Sequence, residues 1–553
     1  MTARLIYLPL GGAGEVGMNA YVYGYGEPNR ERYILIDIGV TFPDMETTPG
    51  VDLIFADISW LEERKDRLEA ILITHAHEDH IGALGILYSR LGAPVYARKF
   101  TANLAQRKLD DRGQDPEVVR VVEAMEAFEA GPFTLRFMPV SHSIPESAGV
   151  VIDTPTGRVL HTGDFKVDRT PVLGDPFEDD LWREVAGGRL HALVCDSTNV
   201  NVPHEGRSEA SVKEPIVELM RNAKGMVVST TFASNIARLK TLADAGVEAG
   251  RSVCLLGRAM RRMVEAGVQT GVLTDFPSTI SPEEAREIPR ENLLLIVTGS
   301  QGERRAASAQ LSRGKYMGLT MAEGDTFLFS SKTIPGNEAG VIRIVNAFSE
   351  MGVDVVDDSD GRYHVSGHAN GPDIDFVHGL TKPTMVIPMH GDHRMLSSHA
   401  KMAKKNRHAS IIATNGTMLD LTGDAPKVAE HVEAGRLYLD GSVIIDALSG
   451  VVRDRIRMAL NGHAIVTVII DEEGDLLGDP WVETMGLPET GASREPLVEV
   501  LERELSDLLG RLSRRTIADD DGLEEEIRRA ARNAANDEVG RKPEMTVVIS
   551  RLS

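Results

Sequence analysis

Residues 71–82 read Ile-Leu-Ile-Thr-His-Ala-His-Glu-Asp-His-Ile-Gly, the strongest structural signal in the chain. Four potential metal ligands, His75, His77, Asp79 and His80, follow directly after a short apolar run. Imidazole nitrogens and carboxylate oxygens are ligands that Zn²⁺ and related divalent ions accept. A solvated polar turn does not require such a concentration of donors, so the stretch predicts a metal site.

The pattern around these donors predicts two directions for their side chains. Residues 70–74 are typical of a buried strand, and a period of two beyond it directs His75 and His77 the same way. From Asp79 onward the apolar positions have helical spacing, so Asp79 and His80 are expected at a helix start, facing a second ion. Four ligands on one turn would crowd a single tetrahedral centre, and two metal clusters are therefore expected.

Three further candidate donors stand where apolar runs give way to polar turns. His142 follows the run at 134–140, Asp164 lies in His-Thr-Gly-Asp, and His390 closes Met-Val-Ile-Pro-Met-His. Each of them alone would be more typical of a cap or turn residue. Their order behind the first motif makes all three candidate ligands.

The order of these motifs resembles the metallo-β-lactamase superfamily, with Asp37 in Leu-Ile-Asp-Ile-Gly as its first motif. The resemblance implies an αββα sandwich with a binuclear site at the sheet edges. It also implies that His75, His77 and His142 hold one ion and that Asp79, His80 and His390 hold the other. Asp164 would bridge the two ions, and Asp37 would support the site without binding an ion. Zn²⁺ is the expected ion, and Mn²⁺ or Mg²⁺ remain open because geometry and supply decide occupancy.

The interval between Asp164 and His390 is far longer than a loop. Its apolar strands, each followed by a polar signature and separated by helices, predict an inserted α/β domain. This arrangement resembles the β-CASP nucleases, whose defining motifs match Asp196, His368 and His390. The resemblance implies that Asp196 orients a ligand histidine, that His368 stabilises the transition state or protonates the leaving oxygen, and that Asp79 is also catalytic.

Within that branch, four segments resemble the bacterial ribonuclease J family. They are Leu-Gly-Gly-Ala-Gly-Glu-Val-Gly-Met-Asn at 10–19, Ile-Pro-Gly-Asn-Glu at 334–338, Ser-Gly-His-Ala at 366–369 and Met-His-Gly-Asp-His-Arg at 389–394. The chain departs from the family at Glu146, where Asp is usual, and at His393, where an aromatic residue is common. Neither residue is a candidate ligand, so the predicted activity is unaffected.

Substrate contacts are expected beside the metals. Backbone N–H groups in glycine-containing turns, together with hydroxyl groups, bind phosphate without net charge. One segment offers such a cradle, and the resemblance implies that it binds the RNA phosphate: His364, Val365, Ser366, Gly367, His368 and Ala369. Four residues of the insert could extend it, and each is equally typical of a turn or helix cap: Ser234, Asn235, Ser300 and Gly302.

The resemblance implies a two-metal ribonuclease that releases 5′-phosphate and 3′-hydroxyl ends. It implies 5′-to-3′ exonuclease action on 5′-monophosphate RNA, together with endonuclease cuts, in mRNA decay and rRNA maturation. Two alternatives remain open. One is a small-molecule ester or amide hydrolase on the same metal core, which would lack the long insert. The other is a non-catalytic RNA-binding assembly subunit, against which the complete ligand set argues.

A chain of 553 residues with 42% apolar residues can bury several cores. The expected organisation is a metal-binding domain in two parts (1–205 and 361–441), the insert (206–360), a linker (442–460) and a C-terminal α/β domain (461–553). The resemblance implies that the C-terminal domain assists self-association, as a homodimer or tetramer. A merely stabilising role for this domain remains open.

The net charge of −23 is unusual for a protein that binds RNA, because a polyanion is repelled at long range. Any site for single-stranded RNA is therefore expected to be local. The two cysteines, Cys195 and Cys254, each follow an apolar run and are expected to be buried, reduced thiols of a cytoplasmic protein. No segment approaches the roughly 20 apolar residues of a membrane span. RNA-degradation proteins are possible partners.

Overall fold

The computed structural model describes residues 3–552. The chain divides into two compact units, Met1–Thr41 with Phe55–Arg436, and Phe42–Ile54 with Leu437–Ser553. The larger unit contains two large sheets and the insert, and it holds every candidate site residue. Among the described residues, no helix is both long enough and apolar enough to cross a bilayer.

The first large sheet has eight strands. In sheet order they are Lys427–His431, Thr417–Asp420, Arg4–Gly11, Ala20–Gly26, Arg32–Ile36, Leu68–Leu72, Val95–Ala97 and Val119–Val121. The second has seven: Phe128–Ala130, Phe133–Pro139, Ala148–Thr154, Gly157–His161, Ala192–Asp196, Met385–Met389 and Ala409–Ser410. Side chains of both sheets, such as Tyr7 and Tyr23 from one and Phe133 and Phe137 from the other, share one buried core. The two sheets therefore form a sandwich.

Helices cover the outer faces of this sandwich. Their bounds are Ser59–Glu62, Glu78–Ile81, Leu84–Leu91, Lys99–Asp110, Asp179–Ala186, Gly371–Thr381 and His393–Lys405. Trp182, Val377 and Ala403, from the last three helices, pack with Leu193 and Val386 of the seven-stranded sheet in a second apolar core. This is the αββα arrangement that the family resemblance implied.

The insert is an α/β layer around a parallel five-stranded sheet. The strands in sheet order are Ser252–Leu256, Leu293–Val297, Val227–Thr230, Thr326–Phe329 and Asp354–Val356. The helices are Lys213–Asn222, Ile236–Glu248, Arg258–Thr270, Pro282–Ala285, Ala307–Leu311 and Glu338–Glu350. Apolar side chains on both faces of this sheet are buried, which explains the nearly continuous apolar runs of its strands.

The smaller unit contains a three-stranded sheet with helices. The strands in sheet order are Trp481–Met485, His463–Ile470 and Glu544–Arg551, and the helices are Val451–Asn461, Leu497–Leu509, Arg514–Ile517 and Asp520–Val539. The segment 442–460, predicted as a linker, contains regular structure instead: strand Val443–Asp446 and most of helix Val451–Asn461. A helix forms here because Gly450, with φ of 92°, allows the turn that begins it and Val452 is buried.

Candidate metal centre

Strand order explains how distant residues meet. Three strands of the seven-stranded sheet are parallel neighbours. Asp164 follows strand Gly157–His161, Asp196 is the last residue of strand Ala192–Asp196, and His390 follows strand Met385–Met389. Parallel strands end at the same edge of a sheet, so these three side chains converge. In the other sheet, Arg32–Ile36 and Leu68–Leu72 are also parallel, and they lead to Asp37 and His75.

The first donor group consists of His75, His77, His142 and Asp164. His77 Nδ1 lies 3.1 Å from His75 Nε2 and 3.1 Å from His142 Nε2. Asp164 Oδ2 lies 3.7 Å from His75 Nε2 and 3.8 Å from His142 Nε2. Four donor atoms thus face a common point at the edge of the sandwich.

The second donor group consists of Asp79, His80, His390 and the same Asp164. His80 Nε2 is 3.2 Å from Asp164 Oδ2 and 3.5 Å from Asp79 Oδ2. His390 approaches Asp164 Oδ1 through Nδ1 at 2.8 Å and Asp79 Oδ2 through Nε2 at 3.4 Å. Asp164 belongs to both groups, which is the position of a bridging carboxylate.

The donor types of both groups are those that bind divalent cations. Burial lowers the pKa of His77 to about 4 and the pKa of His75 and His142 well below the usual range, so these imidazoles are neutral, the form that binds a metal. In the second group burial lowers the pKa of His80 and His390, but the carboxylates beside them outweigh it, raising the pKa of His80 above its usual range and that of His390 to about 10. Burial raises the pKa of Asp79, but His80 and His390 outweigh it, and this carboxyl is ionised. In residues 3–552, the buried Nε2 of His390 has no hydrogen-bond partner, as expected of a nitrogen reserved for a ligand.

Asp37 lies behind the donors and orients two of them. Its Oδ2 accepts a hydrogen bond from His80 Nδ1 at 2.7 Å, which leaves Nε2 of that ring directed at Asp164. The same carboxylate accepts from the backbone N–H and the hydroxyl of Thr74, whose Oγ1 lies 3.0 Å from His75 Nδ1. Asp37 has φ of 63°, a conformation that Asp and Asn adopt more easily than most residues.

We therefore expect Asp37→Asn to weaken metal binding about 10- to 100-fold while the fold persists. Asparagine retains the shape and tolerates the positive φ, so the change removes mainly the charge that holds His80. Metal affinity is measured by competition with a chromophoric chelator. Asp57→Asn, at a carboxylate that accepts hydrogen bonds from Ser59, is the matched control. Equal metal affinity in the two variants would contradict the orienting role.

Asp196 and His368 form a hydrogen-bonded pair beside the donor groups. His368 Nδ1 lies 2.7 Å from Asp196 Oδ2, and its Nε2 lies 3.8 Å from Asp164 Oδ2. Asp196 lies closer to His368 than to the proposed ligand His390, whose Nδ1 is 3.7 Å away, so its role in orienting a ligand histidine stays a prediction. The other oxygen of Asp196 accepts from the backbone N–H and hydroxyl of Thr198, which immobilises the carboxylate.

The segment 364–369 lies against the first donor group. His142 Nδ1 is 2.6 Å from the carbonyl oxygen of Gly367, and a Cβ at Gly367 would come within 2.8 Å of the His142 ring. Glycine is therefore required for this close approach. Ser366 Oγ accepts from the His368 backbone N–H, and Asn199 Nδ2 also donates to it.

Other members of this segment serve the fold. Val365 and Ala369 are buried, and the backbone N–H of Ala369 donates to Phe165 O at 2.6 Å, so this N–H is not free to bind a phosphate. His364 is held by two arginines: its carbonyl accepts from Arg207, and its Nδ1 is 3.4 Å from Nη1 of the buried Arg238.

Three of the four candidate contacts in the insert, Asn235, Ser300 and Gly302, have local surroundings of their own. Asn235 is a helix cap, and its side chain accepts from the backbone N–H of Arg238. Ser300 lines a cavity of about 310 Å³ at the ends of the insert strands, and Gly302 packs against the backbone of Gly340. Within residues 3–552, no hydrogen bond joins Ser234, Asn235, Ser300 or Gly302 to the donor groups.

Asn19 is a site residue that sequence reasoning did not identify. It is fully buried, and its Nδ2 lies 3.0 Å from the carbonyl oxygen of Asp79 and 3.0 Å from His80 Nε2. The Tyr21 hydroxyl donates to its Oδ1 at 2.7 Å and fixes the amide. Its only signal in the sequence was its place at the end of the glycine-rich opening segment.

Comparisons with known proteins agree with this architecture. Four family models match in chain order: "Metallo-beta-lactamase superfamily" at residues 13–204, "Ribonuclease J, beta-CASP domain" at 224–348, "Zn-dependent metallo-hydrolase RNA specificity domain" at 362–413 and "Ribonuclease J C-terminal domain" at 450–552. The predicted fold class, a sandwich split by a β-CASP insert and followed by a C-terminal domain, is confirmed.

Curated relatives match along most of the chain. A protein named Ribonuclease J from Sinorhizobium meliloti is 38% identical over 99% of this chain and 98% of its own length. Proteins of the same name from Corynebacterium glutamicum and Thermus thermophilus are 35% and 31% identical, over 90% and 91% of this chain and 70% and 87% of their own.

A solved structure, of a protein of unknown function from Enterococcus faecalis V583, matches with a TM-score of 0.52 and 14% identity, over 75% of this chain and 100% of that one. At this identity the match shows the fold alone. The similarity to the curated relatives extends along most of the chain and shows the family as well as the fold. It confirms the resemblance seen in the sequence: the chain belongs to the ribonuclease J family of the metallo-β-lactamase superfamily.

Proposed function

We propose that this chain is a metal-dependent ribonuclease that hydrolyses RNA phosphodiester bonds with two divalent ions, most favourably Zn²⁺. The names of its relatives and the match to an RNA specificity domain support RNA as the substrate. The observation that carries the proposal is the shared Asp164 between two donor groups, with the Asp196–His368 pair beside it. A lactamase or lactonase core would need only the donor groups.

The ions would be held by His75, His77 and His142 on one side, Asp79, His80 and His390 on the other, and Asp164 between them. When bound, divalent ions activate water and offset charge on phosphoryl oxygens. No protein nucleophile is needed. The chain's own contribution is to hold the donors in place through Asp37, Asn19 and Gly367, and to supply a proton through His368.

His368 suits proton transfer because of its partners. Burial lowers the pKa of His368, but Asp196 and Asp164 outweigh this effect, and the net pKa is raised above its ordinary value. Asp196 bonds Nδ1, so Nε2 is the atom that faces the donor groups. Nε2 would donate to the leaving 3′ oxygen, in keeping with general acid catalysis.

A local cluster of positive charge offsets the acidic chain. Burial lowers the pKa of His364 to about 3, and four cations add to the effect: Arg238, Lys332, Lys166 and Arg207. Arg238 is paired with Glu209 and Lys166 with Asp168, so Arg207 and Lys332 would supply most of the positive charge beside the segment proposed to bind the phosphate. The net charge of −23 is therefore compatible with a local RNA site.

The finer activity is part of the same proposal: 5′-to-3′ exonuclease action on 5′-monophosphate RNA, with endonuclease cuts, in mRNA decay and rRNA maturation. Self-association as a dimer or tetramer, contact with RNA-degradation proteins and a cytoplasmic location remain predictions.

The test uses RNA of one sequence, labelled at the 3′ end and carrying a 5′-monophosphate or a 5′-triphosphate. We expect a chelator to abolish cleavage, Zn²⁺ or Mn²⁺ to restore it, and the triphosphate to slow exonuclease action at least about tenfold, since a charged phosphate contact is worth about 1.5–3 kcal/mol. DNA of the same sequence is the substrate control. Cleavage that persists in chelator would contradict the metal requirement, and equal rates on both 5′ ends would contradict the end preference alone.

A further inference from the structure

A separate group of potential ligands lies buried outside the candidate metal centre. The thiol of Cys195, on strand Ala192–Asp196, faces His378 on helix Gly371–Thr381 and His399 on helix His393–Lys405. One donor atom from each side chain lies within 4.8 Å of the other two. All three side chains are fully buried, so bulk water does not satisfy them.

Hydrogen bonding satisfies this group only in part. His399 Nδ1 lies 2.8 Å from Ser197 Oγ, and the two Nε2 atoms of His399 and His378 are 3.0 Å apart. Within residues 3–552, the buried Nδ1 of His378 has no hydrogen-bond partner. The Cys195 thiol lies 3.7 Å from the carbonyl oxygen of Asp196 and also interacts with Thr162. Two imidazoles and a thiol facing one another in an apolar core require a physical explanation, because unpaired buried polar groups are costly.

The donor types, one thiol and two imidazoles, are those that zinc sites use. Thiolate and imidazole are the ligands that a borderline-soft divalent ion such as Zn²⁺ prefers. Burial lowers the pKa of His378 to about 3 and that of His399 well below its usual range, so both rings are in the neutral form that coordinates a metal. Their 3.0 Å separation is close to the 3.1 Å between facing nitrogens in the first donor group.

We propose that Cys195, His378 and His399 form a separate, structural site for a divalent ion of the Zn²⁺ class. Coordination releases the thiol proton to solvent, and the proton between the two Nε2 atoms moves to Nδ1 of His378. The ion would join strand Ala192–Asp196 to helices Gly371–Thr381 and His393–Lys405, which precede and follow strand Met385–Met389 along the chain. This site does not depend on the proposed ribonuclease activity.

The alternative is a metal-free relay in which Ser197, His399 and His378 share hydrogen bonds. Cobalt separates the two, because only a sulfur ligand gives thiolate-to-cobalt charge transfer, and the candidate metal centre contains no sulfur. The full-length protein is produced in zinc-depleted, cobalt-supplemented medium, so that a buried site is filled as the chain folds. Absorption spectra are compared for the wild type, Cys195→Ser and Cys254→Ser.

We expect the charge-transfer band in the wild type and in Cys254→Ser, and its loss in Cys195→Ser. Cys254, the other cysteine of the chain, is buried in the core of the insert and is a matched control. A wild type that shows cobalt bands of nitrogen and oxygen ligands without the sulfur band would overturn the proposal in favour of the relay. Loss of the band in Cys254→Ser with retention in Cys195→Ser would overturn it too.

A measurement without any variant covers the case in which Cys195→Ser does not fold. Zinc-edge X-ray absorption of the zinc-loaded wild type should contain a sulfur neighbour at about 2.3 Å. A zinc shell made only of nitrogen and oxygen would overturn the proposal.

Discussion

Asp164→Asn is expected to lower the rate of RNA cleavage by about a thousandfold or more, because electrostatic stabilisation of the reacting phosphate is lost with the ions. Asp164 is the carboxylate common to both donor groups. Its side chain lies between His80 at 3.2 Å and His390 at 2.8 Å, so its charge also offsets two imidazoles. The amide retains the size of the side chain and removes its charge. Metal content, measured by mass spectrometry of the purified protein, is expected to fall at both sites.

Two variants make this result specific. His77→Ala removes a donor from the first group alone, and we expect it also to abolish cleavage, with metal lost from one site first. Asp153→Asn, on a neighbouring strand where Asp153 pairs with Arg136 and Arg158, is expected to keep both metal and activity. Full metal content and wild-type cleavage in Asp164→Asn would refute the assignment of this residue as the bridge.

His368→Ala is expected to lower the cleavage rate about 10²- to 10⁴-fold, the range typical of a lost general acid. The metal content is expected to remain that of the wild type, because His368 faces Asp164 from 3.8 Å and belongs to neither proposed ligand set. The rate and the metal content are measured on the same preparation. Loss of metal along with activity would show that His368 is a ligand instead.

The partnership of His368 with Asp196 is tested by a double-mutant cycle. If Asp196 acts only through His368, then Asp196→Asn in the His368→Ala background has little further effect on the rate. The single variant Asp196→Asn is expected to lower the pKa of His368, because the Asp196 carboxylate raises that pKa in the wild type. Independent, additive losses would argue that Asp196 has a separate role.

The run at residues 71–82 could be interpreted from local rules. A strand period directs His75 and His77 together, and a helix start turns Asp79 and His80 aside; in the structure the two pairs lie in different donor groups. The α/β insert was predictable for the same reason, since apolar periodicity is a property of short segments. The αββα fold was implied by the family resemblance of the motifs. The segment 442–460, expected as a linker, contains a strand and most of a helix, and this helix has a weak apolar pattern because it begins at a glycine and buries Val452.

By itself, the sequence determined which donors are present and in what order they follow their strands. Only the tertiary structure decided their partners. Asp196 meets His368 across 172 positions of the chain, His142 meets Gly367 across 225, and Asn19 meets His80 across 61. Such contacts depend on which strands become parallel neighbours and which helix covers them, and no local pattern of hydrophobicity contains that information. For the same reason, Cys195, expected only as a buried thiol, meets His378 and His399, two histidines that no motif had singled out.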